Sequence, residues 1–220
     1  MLFRSLISSL LRGRSAVVRA ASLALIALTA AALSLPAQYP GQTPDSAALK
    51  PPAGARVAIV EFGDLECPAC AHANPLLKQA AAKYNIPWVR HDFLIPYHNW
   101  SKNAAVDARW FDSKNKALGD EYRDEIFANQ RSIETAGELS QFTEKYAQSH
   151  GVALPFAIDP QGKLLGAVNA DSDLGRRLGI TQTPTIWVVT ANSSVKVANP
   201  DTDLYSTIDQ AMANTKMAHN

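Results

Sequence analysis

The stretch EFGDLECPAC at residues 61–70 decides the fold, because it places two cysteines where a strand turns into a helix. Residues 56–62 form a short apolar run that predicts a buried strand, and a helical pattern runs from Cys67 to residue 84. Cys67 then lies at a helix N-terminus, where free backbone N–H groups and the helix dipole favour an anion. The pattern predicts a reactive Cys67 thiolate, with Cys70 one turn further on to resolve a mixed disulfide.

The cysteine count supports redox chemistry, because Cys67 and Cys70 are the only cysteines among 220 residues. Structural disulfides usually close longer loops, where they constrain the unfolded chain more. A zinc site needs two further ligands, and no other cysteine can supply them. Haem attachment needs a histidine directly after the second cysteine, but residue 71 is alanine. A purely structural pair and a metal site that includes His72, His91 or His98 remain alternatives.

The N-terminal 37 residues have the pattern of an export signal. They hold four arginines and no acid, followed by an uncharged Ala- and Leu-rich stretch at residues 20–37 and small residues near Ala37. This order is typical of a signal peptide, and cleavage after Ala37 is one outcome. Residues 20–37 are also long enough to remain as a membrane anchor, and a buried N-terminal helix is a third interpretation. We therefore expect a periplasmic or otherwise extracytoplasmic location, with anchoring left open.

The composition of the remaining chain is that of a soluble globular protein. Without the four N-terminal arginines, 17 basic and 20 acidic side chains remain, so no basic excess points to nucleic acid. Residues 38–53 are rich in proline and predict a linker without fixed structure. The folded domain is predicted at residues 54–220.

The predicted elements alternate in the order β-α-β, a helical block, then β-β-α. This order predicts an α/β fold with a mixed sheet of about four strands and a helical insertion at about residues 98–180. The further strands are predicted at residues 86–94, 185–189 and 195–197, and helices at residues 101–148 and 203–217. A short helix capped by Asp171 or Ser172 and ending at Gly179 is predicted between them.

Residues 61–70 resemble the active-site entry of the thioredoxin superfamily, and the long helical insertion resembles its DsbA-like branch. Glu61 lies six residues before Cys67, where that superfamily carries a buried acid. Pro75 resembles the kinking proline of thioredoxin, and Thr183-Pro184 resembles the cis-proline loop. The resemblance covers roughly residues 55–210.

The resemblance implies roles for three residues beyond the cysteines. Burial would raise the pKa of Glu61, which could then exchange a proton with Cys70. A cis bond at Pro184 would present the backbone of Thr183 to an extended substrate peptide. The alternatives are an ordinary glutamate at a sheet edge and a trans proline that merely opens a strand.

The chain also departs from family patterns beside the cysteines. Glu66 replaces an aromatic residue, and its charge would oppose the thiolate unless it points to solvent. The pair between the cysteines is Pro-Ala and lacks a histidine, which leaves the direction of electron flow open. His91 is expected to be structural and His72 to lie at the surface, whereas His98 and Trp100 are candidates for the substrate face.

The resemblance implies an exported thiol–disulfide oxidoreductase that introduces disulfides into exported proteins through Cys67 and Cys70. A periplasmic reductase or isomerase and a metal-binding thioredoxin-fold protein remain alternatives. We expect no cofactor and no metal, cysteine-containing exported proteins as substrates, a membrane redox partner as a candidate, and a monomer.

Overall fold

The computed structural model describes residues 45–217, which form an α/β fold with a four-stranded mixed sheet, as predicted. The strands are β1 Val57–Gly63, β2 Trp88–Asp92, β3 Thr185–Thr190 and β4 Ser194–Val197. The α-helices are α1 Pro68–Tyr84, α2 Ser101–Lys114, α3 Lys116–Asn129, α4 Ala136–Ser149, α5 Lys163–Arg177 and α6 Pro200–Met217. Short 3-10 turns span Asp45–Leu49 and Gln130–Ser132.

Strand β1 lies in the middle of the sheet, whose order is β2-β1-β3-β4. It pairs in parallel with β2 and antiparallel with β3. Its residues from Val57 to Phe62 are all buried, which explains why the sequence is a continuous apolar run and not an alternating one. The one charged residue in this run, Glu61, is therefore buried in the centre of the sheet.

The two faces of β1 pack against different helices because successive side chains point to opposite sides of a strand. Ile59 packs with Leu77 of α1 and Ile208 of α6 in one apolar cluster. Phe62 belongs to a second cluster on the other face, which includes Ile180. Glu61 has the same parity as Ile59, so it points to the face that α1 covers.

The helical insertion between β2 and β3 has an apolar core of its own. Five apolar residues of α2 are buried: Ala104, Ala105, Ala108, Trp110 and Phe111. Phe111 contacts Tyr122 and Tyr146 with ring centroids 4.8 and 5.0 Å apart. The insertion is thus stabilised largely by an aromatic cluster that does not depend on the sheet.

The predicted short helix at Asp171 is wrong, because α5 already begins at Lys163 and Asp171 lies inside it. The carboxylate of Asp159 accepts a backbone N–H of the first turn at 2.8 Å and so caps the helix. Asp171 instead binds His91 and Arg109 at 2.9 and 2.6 Å. A long-range ion-pair partner, which no local pattern reveals, determines the role of this aspartate.

The described part of the proline-rich segment is not the unstructured linker that its composition predicted. Residues 45–49 form a 3-10 turn, Leu49 packs against the sheet cluster of Phe62, and the Lys50 ammonium donates to the carbonyl of Ala191. The predicted export signal and anchor at residues 1–37 lie outside the described residues. Within residues 45–217, no helix is both long and apolar enough to cross a membrane.

Replacing Gly119 by alanine is expected to destabilise the fold. A Cβ there would lie 2.1 Å from Asp112 Oδ1 and 2.7 Å from the Asp112 backbone nitrogen, where α2 and α3 meet. Overpacking of this kind costs about 1–3 kcal/mol. Gly166→Ala is the control, since this glycine lies in α5 and no heavy atom is within 4 Å of the new Cβ. This substitution should raise the free energy of unfolding by about 0.5–1 kcal/mol. Urea unfolding of both variants measures the difference, and equal stabilities would contradict the prediction.

Candidate redox site

Cys67 is the N-cap residue of α1, and Pro68 occupies the first helical position. Proline suits this position because its missing N–H would have no partner within the helix. The side chain of Cys67 does not cap the helix by a hydrogen bond in the thiol form. Cys67 is 8% exposed and Cys70, one turn further on, is completely buried, so only the first sulfur is accessible to another molecule.

The pKa of Cys67 is lowered to about 5, chiefly because the thiol of Cys70 donates a hydrogen bond to the Cys67 thiolate. Burial opposes this effect, while the Thr183 hydroxyl and the backbone N–H groups of Ala69 and Cys70 add to it. At neutral pH the thiolate therefore predominates, as a nucleophile in disulfide exchange requires.

The second sulfur behaves in the opposite way, because burial raises the pKa of Cys70 well above its ordinary value. The hydrogen bond to Cys67 and the charges of Glu61 and Cys67 act in the same direction. The backbone N–H of Asp64 lies 3.4 Å from the Cys70 sulfur and points to it. Cys67 is therefore the accessible thiolate of the pair, and Cys70 is the buried thiol.

The Thr183-Pro184 segment lies beside the nucleophile, and its peptide bond is cis, as predicted. In the thiol form Cys67 donates to the carbonyl of Thr183, with sulfur and oxygen 3.4 Å apart. Thr183 thus contacts the same sulfur through a carbonyl, which favours the thiol, and through a hydroxyl, which favours the thiolate.

Glu61 lies on β1 and is only 5% exposed. Burial raises its pKa to about 7, and the opposing influences are the charge of Arg90 and a hydrogen bond from Trp88. The Trp88 indole nitrogen lies 3.0 Å from Glu61 Oε2. A carboxyl group of this pKa can both donate and accept a proton near neutral pH.

The carboxylate of Glu66 does not point freely to solvent. It accepts the backbone N–H groups of Asn99, Trp100 and Ser101 at 3.0, 2.7 and 2.9 Å. These groups form the N-terminus of α2, whose own N-cap residue, Trp100, provides no side-chain cap. Carboxylates are favourable there because the N–H groups and the helix dipole are positive.

Sequence reasoning also missed Asp64, whose carboxylate is completely buried. One oxygen accepts the N–H of Glu66 at 2.8 Å and the other that of Ile95 at 2.9 Å. The first oxygen lies 3.0 Å from Nδ1 of His98. The only sequence signal was an acid in a turn before the cysteines, which does not reveal partners 31 residues away.

Each of the three histidines considered for a metal site lies next to an aspartate. His72 pairs with Asp201 and is exposed, as predicted for a surface residue, and His91 pairs with Asp171, as predicted for a structural one. His98 faces Asp64. Within residues 45–217, no group of three His, Cys, Asp or Glu side chains is arranged to hold a metal ion.

Comparison with known proteins identifies the class to which this fold and site belong. The thioredoxin family model Thioredoxin_4 matches residues 53–210, so the chain belongs to this thioredoxin family. DsbA2 of Pseudomonas aeruginosa is 27% identical, with a TM-score of 0.55 over 73% of this chain and 91% of that one. α-DsbA1 of Wolbachia pipientis is 15% identical, with a TM-score of 0.62 over 86% and 98%.

Within that family the chain is a DsbA-like thiol–disulfide oxidoreductase, as the adjacent cysteines and these matches indicate. BdbD of Bacillus subtilis shares the fold at 20% identity, with a TM-score of 0.53 over 75% of this chain and 90% of that one. Both the fold and the enzyme class predicted from the sequence are confirmed.

A different kind of relative matches part of the chain. The Na+/H+ antiporter NhaA 1 of Salinispora arenicola (strain CNS-205) is 31% identical in an alignment of 143 residues that covers 57% of this chain. The match spans 21% of the antiporter, so the chain covers about a fifth of that protein's length. The similarity therefore concerns only a part of the antiporter and does not imply that this chain is an antiporter.

We expect the ultraviolet absorbance of the Cys67 thiolate to titrate with a midpoint near pH 5. Thr183→Val should raise this midpoint, because valine removes the hydroxyl that stabilises the thiolate. Thr183→Ser is the matched control, since it keeps the hydroxyl and should leave the midpoint nearly unchanged. A valine variant that titrates like the serine variant would rule out the hydroxyl contribution.

Glu61→Gln should stabilise the reduced protein more at pH 8 than at pH 4.5, each measured relative to the unsubstituted protein. A carboxyl group whose pKa is raised on folding contributes most stability below its unfolded pKa of 4.5 and loses it as the pH rises to about 7. This shift corresponds to about 3 kcal/mol. Urea unfolding at the two pH values measures it, and Glu125→Gln at an exposed position is the control. A difference between the two pH values no larger than that of the control would contradict a buried acid at position 61.

Proposed function

We propose that the protein is an exported disulfide oxidase that uses a Cys67–Cys70 disulfide to oxidise cysteine pairs in exported proteins. The observation that carries this proposal is the opposite displacement of the two cysteine pKa values, to about 5 for Cys67 and upward for Cys70. A stabilised thiolate favours the reduced protein, and a redox pair whose reduced form is stabilised is a strong oxidant.

The reaction begins when a substrate thiolate attacks the Cys67 sulfur of the protein disulfide. The Cys67–Cys70 bond breaks, a bond between Cys67 and the substrate forms, and Cys70 leaves as a thiolate that takes up a proton. A second substrate thiolate then attacks the substrate sulfur of the mixed disulfide and expels Cys67. Two electrons pass from the substrate to the protein, and the low pKa of Cys67 makes it a good leaving group.

Glu61 is proposed to supply the proton that Cys70 needs when it leaves. Its pKa of about 7 leaves a large protonated fraction near neutral pH, and its charge is coupled to the Cys70 thiol. In the reverse direction the carboxylate would take the proton back. Glu61 would thereby compensate for the burial of Cys70, which lacks contact with solvent.

Thr183 is proposed to hold the substrate backbone beside Cys67. Its carbonyl already lies at hydrogen-bond distance from the reactive sulfur, so a polypeptide bound there by strand addition would bring its cysteine to that sulfur. The hydroxyl of Thr183 would assist the departure of Cys67 as a thiolate.

The missing histidine between the cysteines was the sequence-based reason to doubt strong oxidising behaviour. The donors that lower the Cys67 pKa are Cys70, Thr183 and the start of α1, so the thiolate does not depend on a histidine. We propose that an extracytoplasmic disulfide partner, such as a membrane redox protein, reoxidises the pair. Export rests on the composition of residues 1–37, and a reductase would use the same two cysteines.

The reduction potential of the Cys67–Cys70 pair tests this proposal. Equilibration of the purified protein with glutathione redox buffers should give a value near or above about −180 mV, as expected of a disulfide donor. A value below about −250 mV would make the protein a reductant and would exclude the oxidase function. The Cys70→Ala variant is the control, because it should show no intramolecular two-electron couple.

A further inference from the structure

Two hollows on the helical insertion are lined by neighbouring residues of the same two segments. The first, of about 270 Å³, is lined by Pro68, which directly follows Cys67, and by Trp100 and Ile133. The second, of about 570 Å³, is lined by residues that follow closely on the same segments, Asn103 after Trp100 and Ala136 after Ile133. The start of α2 and the segment that leads into α4 therefore line both hollows, and the second hollow lies further along α2 than the first.

The second hollow combines negative charge with an apolar wall. Asp107 and Glu144 line it, and no Lys, Arg or His is among its described lining residues. The apolar wall includes Leu154, Pro155 and Phe156. The Phe156 side chain is fully exposed, and an aromatic face beside carboxylates is a favourable environment for a cation.

Asp107 has hydrogen bonds but no counter-ion among the described residues. Its carboxylate accepts from the Thr143 hydroxyl at 3.1 Å and from Tyr122, both neutral donors. Burial raises the pKa of Asp107 to about 6. At neutral pH the folded protein therefore holds a half-buried negative charge, and a neutral residue at this position would not have that cost. Departures of this kind from the usual rules of stability are expected at functional positions.

We propose that the second hollow is a subsite for a lysine or arginine side chain of the substrate polypeptide. The cation would bind to Asp107 and Glu144, and its aliphatic stem would lie against Pro155 and Phe156. This proposal rests on the proposed function for its substrate class, because it assumes that a polypeptide reacts with Cys67.

The position of the basic residue follows from the geometry of α2. Asp107 lies seven positions after Trp100, which lines the first hollow, and this offset corresponds to about 10 Å along a helix. An extended chain covers this distance in about three residues. With the substrate cysteine placed at the first hollow, beside Pro68, the subsite should favour a basic residue about three positions from that cysteine.

Rates of mixed-disulfide exchange between the protein and single-cysteine peptides test the subsite. The probes are three matched sets of peptides, with lysine three residues from the cysteine, with glutamate there, and with lysine six residues away. Each set includes one peptide with the charged residue N-terminal to the cysteine and one with it C-terminal. We expect the near-lysine peptide of one direction to react at least about fivefold faster than its glutamate counterpart, an advantage that 0.5 M salt should reduce.

Two variants connect this preference to the hollow. Asp107→Asn should abolish most of the lysine preference, and Glu144→Gln, at an exposed position, should reduce it. Glu125→Gln, in another exposed part of the insertion, should leave it unchanged. Near-lysine and near-glutamate rates within twofold of each other, or a preference that survives both variants, would overturn the subsite.

The outcome is separable from that of the proposed function. Exchange with the peptides proceeds through Cys67 whether the protein is an oxidase or a reductase, so a low reduction potential would exclude the oxidase while the lysine preference persisted. Conversely, a high potential with no lysine preference would exclude the subsite alone.

Discussion

Two carboxylates, those of Asp64 and Glu66, connect the residues before Cys67 to the start of the helical insertion, and the arrangement of the site depends on them. Together they accept five backbone N–H groups, one of which belongs to Glu66 itself. Each is a charge-assisted hydrogen bond, stronger than a neutral one. Because these acceptors lie within three residues of the nucleophile, the position of α2 is coupled to that of the sulfur.

The chemistry of the site results from placing similar groups in different surroundings. Cys67 and Cys70 are one helical turn apart, yet hydrogen-bond donors lower the pKa of the first and burial raises that of the second. Two nearby acids also lie in different surroundings. Glu61 receives one hydrogen bond in a buried strand and its pKa rises, whereas Glu66 is surrounded by N–H groups at a helix terminus.

Local patterns were sufficient for the fold and for the residues that surround the reactive sulfur. The apolar run of β1, the two-cysteine helix start and the Thr183-Pro184 pair each have a short-range signature, and the structure brings them together. The roles of Glu66 and Asp171 had no such signature, because their partners lie far away in the sequence. Long-range ion pairs and helix caps supplied from another element are decided by packing, which a single sequence does not display.

The small number of cysteines has a consequence for biogenesis. Additional cysteines would be a disadvantage in a protein that reacts with the thiols of other chains. Each of them could form a non-native disulfide before folding was complete. With two cysteines the chain has one possible internal bridge. Its folding therefore involves no choice among alternative bridges, and newly made copies need no helper to sort their bonds.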